Sequence, residues 1–265
     1  MRHKALPVAA VGLTAWLAWA AGPGMSDPEA AAAVERTRAI AASYTRHMPD
    51  FICTQTIQRS YHLTLPKNWI DSDVLTLKLR YSGQIEDRQL IARNGQPVAK
   101  GEPAGGLENI GEFGGMLETV FDRQTQAEFR WEEWKTVRSR PAAAFSYHVA
   151  REHSSYMLSF DPGGYVHRQV VAYHGTVEVD RETGDVLRLV YESEDVPKDF
   201  PMQSASTTVD YGFVEVAGKR YVLPVRAEIE TLSDGIRSRN ISEFTDYRKF
   251  TADSTVTFGD TTGNQ

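Results

Sequence analysis

Cys53 is the only cysteine in 265 residues. An internal disulfide is therefore excluded, and so is a metal site built from several thiolates. Cys53 alternates with Phe51 and Ile57, so it reads as a small buried hydrophobe, and nothing near it favours a reactive thiolate. Positive charge is outnumbered. Lys and Arg number 29 against 35 Asp and Glu, a formal charge of −6. That balance argues against nucleic acid or an anionic membrane surface as the main partner. The sequence has no H-E-x-x-H, no G-x-S-x-G, no phosphate-binding loop and no dinucleotide fingerprint. It has no fixed-period repeat and no low-complexity tract, and no cofactor is expected.

The seven histidines form no metal box. His148 and His153 are five apart, and His167 and His174 seven apart, so on strands each pair faces opposite ways. Carboxylates are plentiful, but Glu228 and Glu230 share a face with Arg226, as on a solvated outer surface. No catalytic residue is assigned, and a hydrolase is a distant third reading. Trp131 and Trp134, three apart, should face opposite sides of a strand, with one of them in the core.

The N-terminus has a positive segment (Arg2, Lys4) followed by an apolar one, Ala5 to Ala21, broken by Pro7 and Gly12. Ala18-Trp19-Ala20 fits a cleavage site. The run is short for a membrane span. We read residues 1–21 as a signal peptide, 22–250 as a single domain and 251–265 as a polar tail. No cysteine follows the apolar run, which argues against a lipid-modified N-terminus. The expected product is periplasmic or secreted and, after cleavage, not an integral membrane protein.

Hydrophobic content of 41% and charge of 24% are ordinary for a globular domain large enough to bury a core. Asp27 can cap a helix whose first turn suits Pro28 and which Pro49 ends. Ala30, Ala33, Val34, Ile40, Ala41, Tyr44 and Met48 share one face of it. The period then falls to two. Leu75, Leu77, Leu79 and Tyr81 alternate with polar residues, as do Phe129 and Trp131, Phe145 and Tyr147, Tyr156, Leu158 and Phe160, and Leu223 and Val225. In "VEVDRETGDVLRLVYESEDV" a hairpin turns at Gly184, with Leu187, Leu189 and Tyr191 on one face of its second strand. Turn signals at Asn94-Gly95, Gly163-Gly164, Gly218 and Asp234-Gly235 separate the rest, about eleven strands in all. Pro224 marks an edge or a bulge. The fold class is mainly β: a large curved antiparallel sheet, an incomplete barrel, whose apolar face is covered by the N-terminal helix and a second short helix in "GEFGGMLETVFD".

The helix before "FICTQT", the segment "GEFGGMLETVF", the hairpin "VEVDRETGDVLRLVYESE" and the strand pair at "GKRYVLPVRAEIE" resemble the LolA-like periplasmic lipoprotein-carrier family over roughly residues 28–250. The segments "AEFRWEEW" and "FTDYRKF" resemble uncharacterised exported proteins of that type. The resemblance implies an exported carrier whose barrel holds acyl chains, with a lipid or lipoprotein as partner.

Phe113, Met116, Leu117, Val120 and Phe121 form a wide apolar stripe. With Ile40 and Tyr44 they are the candidate lining or lid of an apolar site. The first functional reading is a non-enzymatic binding protein for an acyl chain or lipoprotein. The alternative is an envelope interaction or sensor domain with a packed core that binds a protein or glycan.

Overall fold

The computed structural model describes residues 27–63, 68–107, 111–161 and 163–250. The expected signal peptide and tail lie outside them. Helix α1 (Pro28–Ala41) and a single turn α2 (Tyr44–His47) precede strands β1 (Phe51–Leu63), β2 (Ile70–Ser82), β3 (Ile85–Arg93) and β4 (Gln96–Pro97). Helix α3 (Gly115–Phe121) leads into β5 (Glu128–Val137) and β6 (Arg140–Val149), and β7 (Met157–Phe160) and β8 (His167–Val170) follow. A meander follows, of β9 (Ala172–Asp180), β10 (Val186–Glu194), β11 (Met202–Val216), β12 (Lys219–Ser233) and β13 (Ile236–Lys249).

Eleven strands form one open sheet in the order β4-β3-β2-β1-β13-β12-β11-β10-β9-β6-β5, and β7 and β8 make a separate hairpin. Every pairing is antiparallel, as the period-two alternation requires. Asp234 and Gly235 both take positive φ, the geometry of a two-residue hairpin loop.

The N-terminal helix starts as expected. Asp27 accepts from the amides of Glu29 and Ala30 at 2.8 and 3.2 Å, with Pro28 in the first turn. It does not run unbroken to Pro49. It stops at Ala41, where the Ser43 hydroxyl bonds back to the Ile40 carbonyl at 3.2 Å. The restart at Tyr44 aims that ring into the core, and its hydroxyl donates to the Val222 carbonyl at 2.6 Å.

The hairpin loop Asp180–Asp185 wraps around α1. Asp180 accepts from the amides of Glu182 and Thr183, both at 2.9 Å. Thr37, buried on α1, donates to the Gly184 carbonyl at 2.9 Å. A β-carbon on Gly184 would sit 3.2 Å from Arg36 and Ile40, and its φ is +82°, so glycine lets loop and helix touch. Arg181 grips Glu29 at 2.6 and 2.9 Å.

Three bulges change the expected faces. An extra residue between Trp131 and Glu133 puts both tryptophans against the main core, half-buried, with ring centroids 6.3 Å apart; they do not face opposite sides. An extra residue at Leu187 moves it off the face of Leu189 and Tyr191, into a small cluster with Val137, Ala142 and Phe213. Val186 takes the inner position instead. The bulge foreshadowed by Pro224 falls at Val225, which is half-buried and not in the core that holds Leu223. Beyond it β12 leaves β13, and the freed carbonyls of Val222 and Pro224 are taken by the hydroxyls of Tyr44 and Tyr247, each at 2.6 Å. Leu158 is buried, but in a satellite cluster with Val171, Phe200, Met202 and Ala205.

Cys53 is buried. Burial pushes its thiol up to about 12 against a hydrogen bond with Tyr247 that lowers it.

Candidate functional site

Two helices cannot cover so long a sheet. The inner face, the one that carries the core, divides into a dry half and a hollow half. In the dry half Phe113 packs on Phe51 and Phe244, with centroids 5.4 and 5.3 Å away. Phe121 stacks on Phe129 at 5.2 Å. Leu117 and Val120 are buried in the same cluster. Arg38 of α1 donates to the Phe121 carbonyl at 2.7 Å, satisfying the last turn of α3, and Thr45 bonds to Glu118.

In the hollow half most inward positions of β1 and β13 become polar. Along β1 the inner face passes from Phe51 and Cys53 to Gln55, Ile57 and Arg59; along β13 it passes from Phe244 to Ser242 and Asn240. Two cavities lie over these residues. The first, about 550 Å³, is bounded by Ile57, Leu75, Leu77 and Leu90 and by the polar side chains of Gln55, Arg88 and Glu112. The second, about 500 Å³, lies between Met116 and Thr119 of α3 and residues 155–159 of the β7 region, with Tyr156 and Tyr191 on its wall. Leu107 and Ile229 line both, so the two adjoin in one groove.

A strap over the first cavity, residues 100–107, is fastened by side chains. Arg59 donates to the Gly105 carbonyl at 2.6 Å, and Asn240 donates to the Leu107 carbonyl at 2.7 Å. Arg59 and Arg93 share Asp73 as their counter-ion. The Arg59 hydrogen bond leads in holding the Asp73 carboxyl below its ordinary value, with Arg93 adding to it and burial opposing it. Deeper in, Arg88 pairs with Glu86 at 2.5 Å and with the fully buried Glu112 at 3.0 Å. Burial pushes the Glu86 carboxyl up, Arg88 opposes, and the Glu112 charge adds.

The sequence-derived candidates separate in the structure. Met116 lines the second cavity. Ile40, Tyr44 and Leu117 surround a void of only about 10 Å³. Phe113, Val120 and Phe121 lie in the packed cluster. Sequence reasoning missed Gln55, Arg88, Glu112, Asn240 and Ser242. The available signal was parity, since polar residues at 55, 240 and 242 fall in phase with buried Phe51 and Phe244. It also missed that His148 and His174 stand opposite each other across β6 and β9. There His148 lies 3.3 Å from Glu194, and His174 lies 3.4 and 3.2 Å from Glu192 and Glu194. Among the described residues no group of three or more His, Cys, Asp or Glu is placed to hold a metal ion. No described helix is long and apolar enough to cross a membrane.

No family model matches the chain, and no curated protein does. Solved structures that match include a LolA superfamily protein from Nitrosomonas europaea, at 10% identity over 84% of this chain and 94% of that one, TM-score 0.41. A DUF1329 family protein from Desulfovibrio piger matches at 9% identity over 86% and 95%, TM-score 0.36. At these scores the likeness carries nothing about ligand or activity.

Proposed function

We propose that the protein is an exported, non-enzymatic binding protein that holds an apolar chain, such as the acyl chain of a lipid or lipoprotein, along the inner face of its sheet. Residues 1–21 act as its signal peptide. The observation behind this reading is the pair of adjoining cavities, each within the range of ligand pockets, the second walled mainly by aliphatic and aromatic side chains and the first by a mixture of aliphatic and polar ones. Met116, Tyr156 and Ile229 touch the chain. Phe113, Leu117, Val120, Phe121, Ile40 and Tyr44 form the dry wall where the groove stops. The alternative, a packed domain with an exposed aromatic platform, is less favoured: Trp131 and Trp134 are half-buried, and Trp134 is held by Asp27 at 3.3 Å and covered by Arg181.

Burial of each methylene is worth about 0.8 kcal/mol, or about fourfold in affinity. Alkyl probes of increasing length should bind about fourfold tighter per methylene, then level off when the groove is full. Ile229→Trp, which fills the junction of the two cavities, should abolish saturable binding of a fluorescent apolar dye while leaving the fold cooperative. No saturable dye binding to the wild-type protein would refute the proposal.

A further inference from the structure

The two cavities adjoin, but their walls differ in kind. Six charged side chains line the first: Arg59, Arg88 and Lys100 of one sign, Asp87, Glu102 and Glu112 of the other. Among the described residues no side chain lining the second cavity is charged, and every polar one is a serine, threonine or tyrosine hydroxyl. The Thr119 hydroxyl is already spent on the Gly115 carbonyl, to which it donates at 2.7 Å. The second wall also gathers methionine. Met116, Met157 and Met202 line it, three of only six in the chain. Methionine has three rotatable bonds and a polarizable sulfur, so it adapts its shape to irregular apolar partners. Ile229, at the junction, belongs to both walls, so one ligand can pass from one cavity to the other.

A hydrocarbon chain laid along the first cavity would strip water from charged groups and return no hydrogen bonds. A polar head in the same place replaces the water it displaces. In the second cavity the preference reverses, because a head would exchange water for a wall without charge, while a chain meets mobile thioethers and aromatic rings. Building on the proposed function, we propose that the groove binds an amphiphile as a whole and in one direction. The end of its chain lies in the second cavity, and its polar head lies in the first, under the strap. The charges lining the first cavity cancel, three against three, so the wall selects the position of the head and not the sign of its charge.

Two photoreactive monoacyl glycerophosphoethanolamines test the direction on the wild-type protein. Both are N-acylated on the head, so both carry the same charge. One has a diazirine on the last carbons of its chain, the other in the N-acyl group. Adducts are mapped by mass spectrometry after irradiation and digestion, and only those suppressed by an excess of unlabelled lipid are counted. The chain-end probe should mark Met116 and residues 155–159 and 202–207, and the head probe should mark the strap, residues 100–107. Moving the diazirine along one ligand should thus shift the labelling from one cavity to the other. The opposite assignment, or the same pattern from both probes, overturns the proposed direction. So does a competable adduct from only one of the two, which places the other end of the ligand in solvent. In each of these cases the chain-binding reading stands. If neither probe gives a competable adduct, that reading fails and the direction fails with it.

Discussion

Arg59 grips both carboxylate oxygens of Asp73, through Nε at 2.5 Å and Nη2 at 2.6 Å. The two lie on facing strands in direct register. The same guanidinium holds the strap at Gly105, so this ion pair helps to keep the first cavity roofed, together with Asn240 at Leu107.

Asp73→Asn should therefore loosen residues 100–107 before it loosens the sheet. The expected cost is about 2 kcal/mol, the range for a hydrogen bond to a charged group. Faster amide exchange confined to the strap would show it, and uniform exchange changes would contradict it. In the wild-type protein the Asp73 carboxyl titrates below its ordinary value. Its contribution is present above the ordinary aspartate value and is lost as pH falls through the lowered folded one. The strap should thus become protease-sensitive on acidification before the core melts.

Leu117 separates structural from ligand-contacting roles within α3. It is 3% exposed in the main cluster, so Leu117→Ala should cost about 2–5 kcal/mol in urea unfolding. Met116→Ala should weaken apolar dye binding more than Leu117→Ala does, because Met116 faces the second cavity. The reverse order would place the ligand on the other side of α3.

Gly175 of β9 lies against Val190 of β10. A β-carbon there would lie 1.9 Å from the Val190 carbonyl oxygen, which accepts from the Tyr147 hydroxyl at 2.6 Å. Gly175→Ala must push the strands apart or break that bond. The expected loss is about 3 kcal/mol, read as a lowered urea midpoint. A loss below about 0.5 kcal/mol, the scale of ordinary surface changes, would mean that the strands yield freely there.

His174 carries a pH dependence of opposite sign to that of Asp73. Its hydrogen bond to Glu192 leads in raising its pKa, with Glu194 adding and burial opposing. A raised folded value gives stability that is complete below the unfolded value, about 6.5, and is lost as pH rises through the folded one. The pair is half exposed, so the effect is small, about 1–2 °C in Tm between pH 6 and pH 8. His174→Gln should remove that difference, and scanning calorimetry at the two pH values would reveal it.

Much of the fold was legible in local pattern. Asp27 and Pro28 announced the first helix, and strict alternation gave Leu75 to Tyr81 and Phe145 to Val149 their buried faces. What stayed hidden depended on partners. A bulge exists only relative to the neighbouring strand, so Trp131, Leu187 and Val225 could not be assigned faces from their own spacing. The groove was hidden for another reason. Gln55, Asn240 and Ser242 look like ordinary polar residues until phase with Phe51 and Phe244 puts them indoors. The wide apolar stripe of α3 pointed to the helix as the site, whereas most of that stripe fills the dry half and the cavities open beside it.

The seam between β1 and β13 joins segments about two hundred residues apart, and among the described residues it is the only strand pairing that ties β1–β4 to the other seven strands of the large sheet. The first strand to be made finds β2 early, but it must keep its other edge bare until β13 has been made. Closing so distant a contact is slow. If the chain is threaded across a membrane from its N-terminus, the middle of the sheet is the last part to zip shut, and until then the polar wall of the groove, which draws on β1 and β13 together, does not exist. Binding competence would thus be timed by the arrival of the final strand.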